Sequence, residues 1–135
     1  MIVGIGCDIV EHDTTTNLNW GSDSSIQKRI FSQKELEIYS YKTDIKFLAG
    51  RFAAKEAILK CLGTGMQDGI ALPDIQIIQS DNGKPLIEPQ GKFKLISDAM
   101  GISTWHISIA HSSNHSVAFA IAEKYIPETN LESFG

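Results

Sequence analysis

Apolar and polar positions alternate over residues 2–10, Ile-Val-Gly-Ile-Gly-Cys-Asp-Ile-Val, with the two-residue period of a strand. That alternation sets Ile5, Cys7 and Ile9 on one face and Gly4, Gly6, Asp8 and Val10 on the other. From Thr14 to Ser25 the chain is polar, and Thr14-Thr15-Thr16 and Ser22-Asp23-Ser24-Ser25 read as capping or loop chemistry. Ser32-Gln-Lys-Glu35 fits a capping box, which predicts a helix to about Tyr41. Thr43 or Asp44 can cap a longer helix that ends at Gly63, with Gly63-Thr64-Gly65 as its stop.

The second half turns to strands. Residues 74–80 alternate partly and run into Asp81-Asn82-Gly83-Lys84, a hairpin turn signal, with Pro85 to Glu88 as the short return strand. Lys92 to Met100 suits a helix stopped by Gly101. Trp105–Ala110 and Ser116–Tyr125 read as an antiparallel hairpin with its tip at 111–115. There is no repeat, low-complexity tract or linker. The pattern predicts one α+β domain, residues 1–125, with 126–135 as a C-terminal tail.

The 135 residues make one domain's worth of chain, of ordinary globular composition at 42% hydrophobic and 21% charged. No apolar run approaches the roughly 18 residues that a membrane span needs. Met1 to Gly6 carries no basic leader, and two cysteines make neither a disulfide framework nor a zinc set. The expectation is a cytoplasmic protein that meets no membrane, with Cys7 and Cys61 packed as small hydrophobes. A net charge of −4 argues against a nucleic-acid binder. Residues 42–60 nevertheless sum to +3, leaving −7 for the rest. Such a segment is either a solvated helix face or a surface for an anionic ligand or acidic partner.

Two acids break the pattern. The stripe Ile45, Leu48, Ala49, Phe52, Leu59 of the long helix passes through position 56, which is Glu. A carboxylate on a core-facing stripe needs a partner. Either Glu56 pairs with Lys60 one turn on, or it is a metal ligand or general base with Lys60 facing an anion. Asp8, in an apolar strand beside two glycines that leave room for a ligand, is either a turn acid or a ligand itself. Together the two acids suit magnesium, which takes one or two carboxylates and fills its other positions with water and phosphate oxygens. His106, His111 and His115 cluster around the last hairpin, with His12 far away in sequence. They are either solvent-exposed or, for His111 beside Ser112, a phosphate contact. Gly4-Ile5-Gly6 and Gly63-Thr64-Gly65 are too short for a nucleotide-binding P-loop.

Gly4-Ile-Gly-Cys-Asp8-Ile-Val-Glu11, then Phe47-Leu-Ala-Gly-Arg51-Phe-Ala-Ala-Lys55-Glu56-Ala57, then Lys60-Cys-Leu-Gly63-Thr-Gly65, resembles the 4'-phosphopantetheinyl transferases of the short, holo-(acyl-carrier-protein) synthase type. Asn82-Gly83-Lys84-Pro85 and Ile107-Ser-Ile-Ala-His111-Ser112 extend the likeness over about residues 2–125. The resemblance implies transfer of 4'-phosphopantetheine from coenzyme A to a serine hydroxyl of an apo acyl carrier protein in fatty acid biosynthesis, releasing 3',5'-ADP. It implies an antiparallel sheet packed on a long helix, and Mg2+ held by Asp8 and Glu56. Catalytic roles fall to Glu56, Lys60 and Asp8, and coenzyme A contacts to Arg51, Lys55, Gly63, His111 and Ser112. It also implies a homotrimer whose neighbours share each site.

Two positions depart from the family pattern. His12-Asp13-Thr14-Thr15-Thr16 replaces a basic, apolar helix that grips the carrier, which leaves Lys28, Arg29, Lys42 or Lys46 for docking. Ala110 replaces a hydroxyl residue before the histidine. The competing readings are a non-catalytic coenzyme A or nucleotide-binding module, a magnesium-dependent pyrophosphate hydrolase, and a metal-free structural protein.

Overall fold

A computed structural model describes residues 1–63 and 69–127. The chain opens with strand β1 (Ile2–Glu11), followed by short helices α1 (His12–Asn17) and α2 (Ser24–Ile30). Helix α3 (Gln33–Lys42) then leads into the long α4 (Ile45–Leu62). A 3-10 turn at Leu72–Asp74 precedes β2 (Ile75–Gln79) and β3 (Pro85–Pro89), then α5 (Gly91–Ala99), β4 (Ile102–His111) and β5 (His115–Lys124). Strands β1, β5 and β4 form a three-stranded sheet in that order, while β2 and β3 form a separate antiparallel hairpin. The α+β architecture and the sheet packed on a long helix are as the sequence predicts.

Local chemistry accounts for most element ends. Ser32 and Glu35 close the capping box of α3 reciprocally. Asp44, not Thr43, caps α4 by accepting from the Lys46 N–H, while Thr43 ends α3 in the left-handed region at φ 48°. Two helices occupy the polar segment for which no element is predicted. Asp23 caps α2 through the Ser25 and Ile26 N–H groups, and the Thr15 and Thr16 hydroxyls donate to the His12 carbonyl in α1. The last hairpin turns over Ser112–Asn114, so His111 and His115 belong to the strands instead of the tip. Thr64 and Gly65 lie outside the described residues, as does the tail beyond Pro127.

Glycine decides how the sheet meets α4. A Cβ on Gly6 would fall inside van der Waals contact of the Ala57 carbonyl oxygen, and one on Gly4 would do the same at Cys61. Two strand residues advance about 6.8 Å and four helical residues about 6 Å. The Gly4–Cys61 and Gly6–Ala57 contacts are therefore one register between an ascending strand and a descending helix. The space at the two glycines is taken by the helix backbone. Gly6→Ala is expected to destabilise the fold by about 3 kcal/mol, the upper end for overpacking, because backbone cannot give way. Urea unfolding would show it, and an unchanged midpoint would refute the close approach.

The core lies between α4 and the inner sheet face, where Ala118, Ala120 and Ala122 of β5 meet Ala53, Ala54, Ala57 and Ile58 with no exposure. A second cluster sets Trp20 edge-on to Phe31 and Phe52, with Leu48 beneath. Among the described residues nothing covers the outer face of the three-stranded sheet. Ile5 is 64%, Ile9 63% and Phe119 53% exposed, and Cys7, paired in register with Phe119, is exposed with them. Of the two cysteines, only Cys61 packs in the core. Its thiol is pushed up to about 11 by burial, and it donates to the Ala120 carbonyl.

Candidate active site

Helix α4 is buried almost all round, and Phe52, Glu56 and Lys60 mark the stripe that stays open. Glu56 therefore does not face the core, as its place in the apolar stripe predicts. So many neighbours wrap this helix that hydrophobic periodicity cannot single out one covered face. Register from Gly4 and Gly6 carries Asp8 to the same place from β1. Lys60 reaches across to it, with Nζ donating to the Cys7 carbonyl at 2.7 Å and to Asp8 Oδ1 at 3.2 Å. The i,i+4 pairing of Glu56 with Lys60 is thus replaced by a helix-to-strand ion pair.

Glu56 is left with its carboxyl pushed above the usual range, first by burial and then by the Asp8 carboxylate, with Lys60 opposing. A cleft of about 580 Å3 opens over these acids, with Glu11, Thr14, Leu18 and Phe52 among its walls. Two like-charged carboxylates beside open space are a donor set for a hard cation. Among the described residues no group of three or more His, Cys, Asp or Glu side chains could hold a metal. Magnesium fits such a site, because two carboxylates suffice when water and phosphate oxygens complete its shell. Zinc, which wants three or four protein ligands, does not.

A second group gathers around the N-terminal half of α4. The Arg51 guanidinium lies over the Phe47 ring at 4.5 Å, and its Nε and Nη2 are buried without a hydrogen-bond partner among the described residues. Burial lowers its pKa, against the pull of Glu35. His111 packs over Gly50, where a Cβ would sit 2.7 Å from its Cε1. Five helical residues separate Arg51 from Glu56, about 7.5 Å along the axis and roughly 140° around it. Within one chain, then, Arg51 and His111 do not converge with Asp8, Glu56 and Lys60.

Lys55, which the resemblance assigns to coenzyme A, cannot reach a ligand. It is fully buried, donating to Glu35 Oε1 at 2.7 Å and to the Leu72 and Ile75 carbonyls at 3.0 and 2.5 Å. Three acceptors satisfy its three protons. The Ser112 hydroxyl is engaged in its own turn, accepting from the Asn114 and His115 N–H groups. Gly63 ends α4 at φ 80°. Lys28 and Arg29 stand exposed on the last turn of α2, with Lys42 exposed at the end of α3. His106 is remote from both groups, paired with Glu123 on the exposed sheet face at 3.0 Å.

Three residues of consequence had no sequence signal for their roles. Glu35 reads as a cap, and nothing local shows that its other oxygen accepts from the Ile77 N–H. His12 and Ser116 lie 104 residues apart and share a buried hydrogen bond.

The model of the 4'-phosphopantetheinyl transferase superfamily matches residues 4–122. The chain belongs to that family. The holo-[acyl-carrier-protein] synthase of Hydrogenovibrio crunogenus is 46% identical over 124 residues, covering 91% of this chain and 98% of the relative. The crystal structure of the Neisseria meningitidis holo-[acyl-carrier-protein] synthase superposes with a TM-score of 0.83 at 33% identity, over 92% of this chain and all of that one. A Bacillus anthracis holo-(acyl-carrier-protein) synthase in complex with CoA (3',5'-ADP) matches with a TM-score of 0.75 at 31% identity, over 93% and 99% of the two chains. This transferase is of the short, holo-(acyl-carrier-protein) synthase type that its motifs resemble. No helix among its described residues is long and apolar enough to cross a membrane.

Proposed function

We propose that this transferase moves 4'-phosphopantetheine from coenzyme A to a serine hydroxyl of an apo acyl carrier protein, with Mg2+, in the cytoplasm and for fatty acid biosynthesis. The observation that carries this reading is the Asp8–Glu56 acid pair, opposed by Lys60, in an open cleft of a family member. In the transfer, the serine oxygen bonds to the phosphorus that bears pantetheine, the bond from that phosphorus to the bridging oxygen breaks, and 3',5'-ADP leaves. Asp8 and Glu56 would hold Mg2+, which when bound neutralises charge on the pyrophosphate. Glu56, on the open stripe of α4, accepts the serine proton. Lys60, half exposed beside Asp8, brings its ammonium to the departing phosphate. Residues 1–125 form the transferase domain, and the exposed basic side chains of Lys28, Arg29 and Lys42 receive the acidic carrier.

The working unit is a homotrimer with shared sites. Two observations support this: the uncovered apolar outer sheet face, and the separation of Arg51 and His111 from the acids around α4. A site that uses both groups must draw them from two copies. Phe119→Glu is expected to convert a three-chain particle in analytical ultracentrifugation into single chains and to abolish transfer with it. Full activity in single chains would refute the shared site.

Intact mass of a purified apo acyl carrier protein, incubated with this protein, coenzyme A and Mg2+, tests the activity directly. The expected result is a gain of one phosphopantetheine that a chelator prevents. Coenzyme A cleavage without carrier modification would replace transfer by hydrolysis. Binding without either reaction would leave a binding module.

A further inference from the structure

His12, the first residue of α1, is buried against the last hairpin. Its backbone N–H donates to the Asn114 carbonyl at 2.8 Å, and its Nδ1 lies 3.1 Å from the Ser113 carbonyl oxygen. A carbonyl only accepts, so His12 Nδ1 carries a proton. On the other side of the ring, Nε2 lies 2.8 Å from the hydroxyl of Ser116, which is fully buried. The same hydroxyl lies 2.6 Å from His111 Nδ1, across the β4–β5 register pair His111–Ser116.

One serine hydroxyl between two imidazoles has one proton to give. When both rings are neutral, His12 Nε2 accepts that proton, so Ser116 Oγ must accept from His111 Nδ1–H. His111 Nε2 is then a bare lone pair. It faces α4 over Gly50 with no hydrogen-bond partner among the described residues. Adding one proton changes the outer nitrogen by either of two routes. The proton goes to His111 Nε2 directly. Alternatively it goes to His12 Nε2, the serine hydroxyl turns to donate to His111 Nδ1, and the His111 proton resides on Nε2. Both routes end with one added charge and an N–H at His111 Nε2. A second added proton would put two cationic rings, with centroids 6.5 Å apart, on either side of one hydroxyl.

We infer that His12 is a positioning residue for His111. Through Ser116 it fixes which His111 nitrogen carries hydrogen, so that an anionic phosphate oxygen is bound at His111 Nε2 with uptake of one proton shared by the pair. This inference rests on the reading that His111 contacts the phosphate-bearing substrate. In the free protein His111 is held below its usual pKa, first by burial, then by His12 and Lys46, with Arg51 adding and Asp44 opposing. These surroundings favour the neutral form of the His111 ring in the free protein, and the proton arrives with the anion.

Two readouts separate the relay from the ligand contact. The first is histidine 15N NMR of the free protein at pH 8. Wild type is expected to show His111 protonated on Nδ1. His12→Asn, which keeps a donor toward Ser113 but removes the acceptor for Ser116, should lose that state, and so should Ser116→Ala. His12→Gln, whose amide oxygen can replace the lost acceptor, should restore it. The second readout is calorimetry with 3',5'-ADP in two buffers of different ionisation enthalpy. About one proton should enter per ligand in wild type, and His12→Asn should bind about tenfold more weakly. An unchanged His111 tautomer in His12→Asn, or binding by wild type without proton uptake, overturns the relay. If His111→Gln leaves 3',5'-ADP affinity unaltered, the assignment of His111 to the nucleotide fails, while the free-protein spectrum still decides the hydrogen-bond relay.

Discussion

Glu56→Gln is expected to lower carrier modification by roughly 10²- to 10⁴-fold, the range for loss of a positioned general base, while the protein stays folded. Glutamine keeps the size of the side chain but can neither accept the serine proton nor complete the charge that a magnesium ion needs. Stability should move the other way. The native carboxyl is raised by burial and by Asp8, so the native state holds this proton more tightly than the unfolded chain does. Its contribution to stability is fully present below the unfolded-chain pKa and is lost as pH rises through the raised native value. Above that value the metal-free wild type carries the burdened carboxylate and Glu56→Gln does not. Thermal melts in chelator at acid and neutral pH should therefore show the variant gaining on wild type as pH rises. Mass-detected transfer measured alongside closes the test. A variant that transfers at the wild-type rate would remove Glu56 from the chemistry.

Lys55→Met should unfold the protein far more readily without touching the reaction. The Lys55–Glu35 pair has no solvent exposure and ties α3, α4, the 3-10 turn and β2 together through five hydrogen bonds. Removing the ammonium leaves the buried Glu35 carboxylate without its counter-charge and takes that donor from the Ile75 carbonyl, while the Leu72 carbonyl keeps the Ile75 N–H. Breaking such a pair from one side costs about 3–5 kcal/mol, against a total of roughly 5–15 kcal/mol for a typical domain. Urea unfolding should show the midpoint fall by that share of the whole, with coenzyme A affinity intact at temperatures where the variant is folded. Weaker coenzyme A binding with unchanged stability would return Lys55 to the ligand site. A motif lysine beside a motif glutamate invites one functional reading for both, yet adjacent helical positions point about 100° apart. Glu56 meets the cleft and Lys55 the core.

The sequence by itself determined what short-range chemistry controls. The Ser32–Glu35 capping box and the Asn82–Gly83 turn are bonds between residues two to three apart, as is the α4 cap, for which the sequence offered Thr43 or Asp44 and the structure uses Asp44. Strand alternation and the long apolar helix follow from side-chain period in the same way. Asp8 and Glu56 were legible as acids that their surroundings did not suit, and the motif around them marked the family. The short polar helices α1 and α2 were not, since six or seven residues with little apolar periodicity carry no helical signal of their own.

Only the tertiary structure decided who meets whom. Gly4 and Gly6 read as space for a ligand until α4 was laid on them. Lys60 had Glu56 one turn away and chose Asp8, 52 residues distant, because the strand brings the Asp8 carboxylate and the Cys7 carbonyl to one ammonium. His12, Ser116 and His111 became one relay because α1 docks on the hairpin that carries the other two. Such contacts depend on the register between elements, which packing of the whole core sets, and no local pattern of residues encodes it.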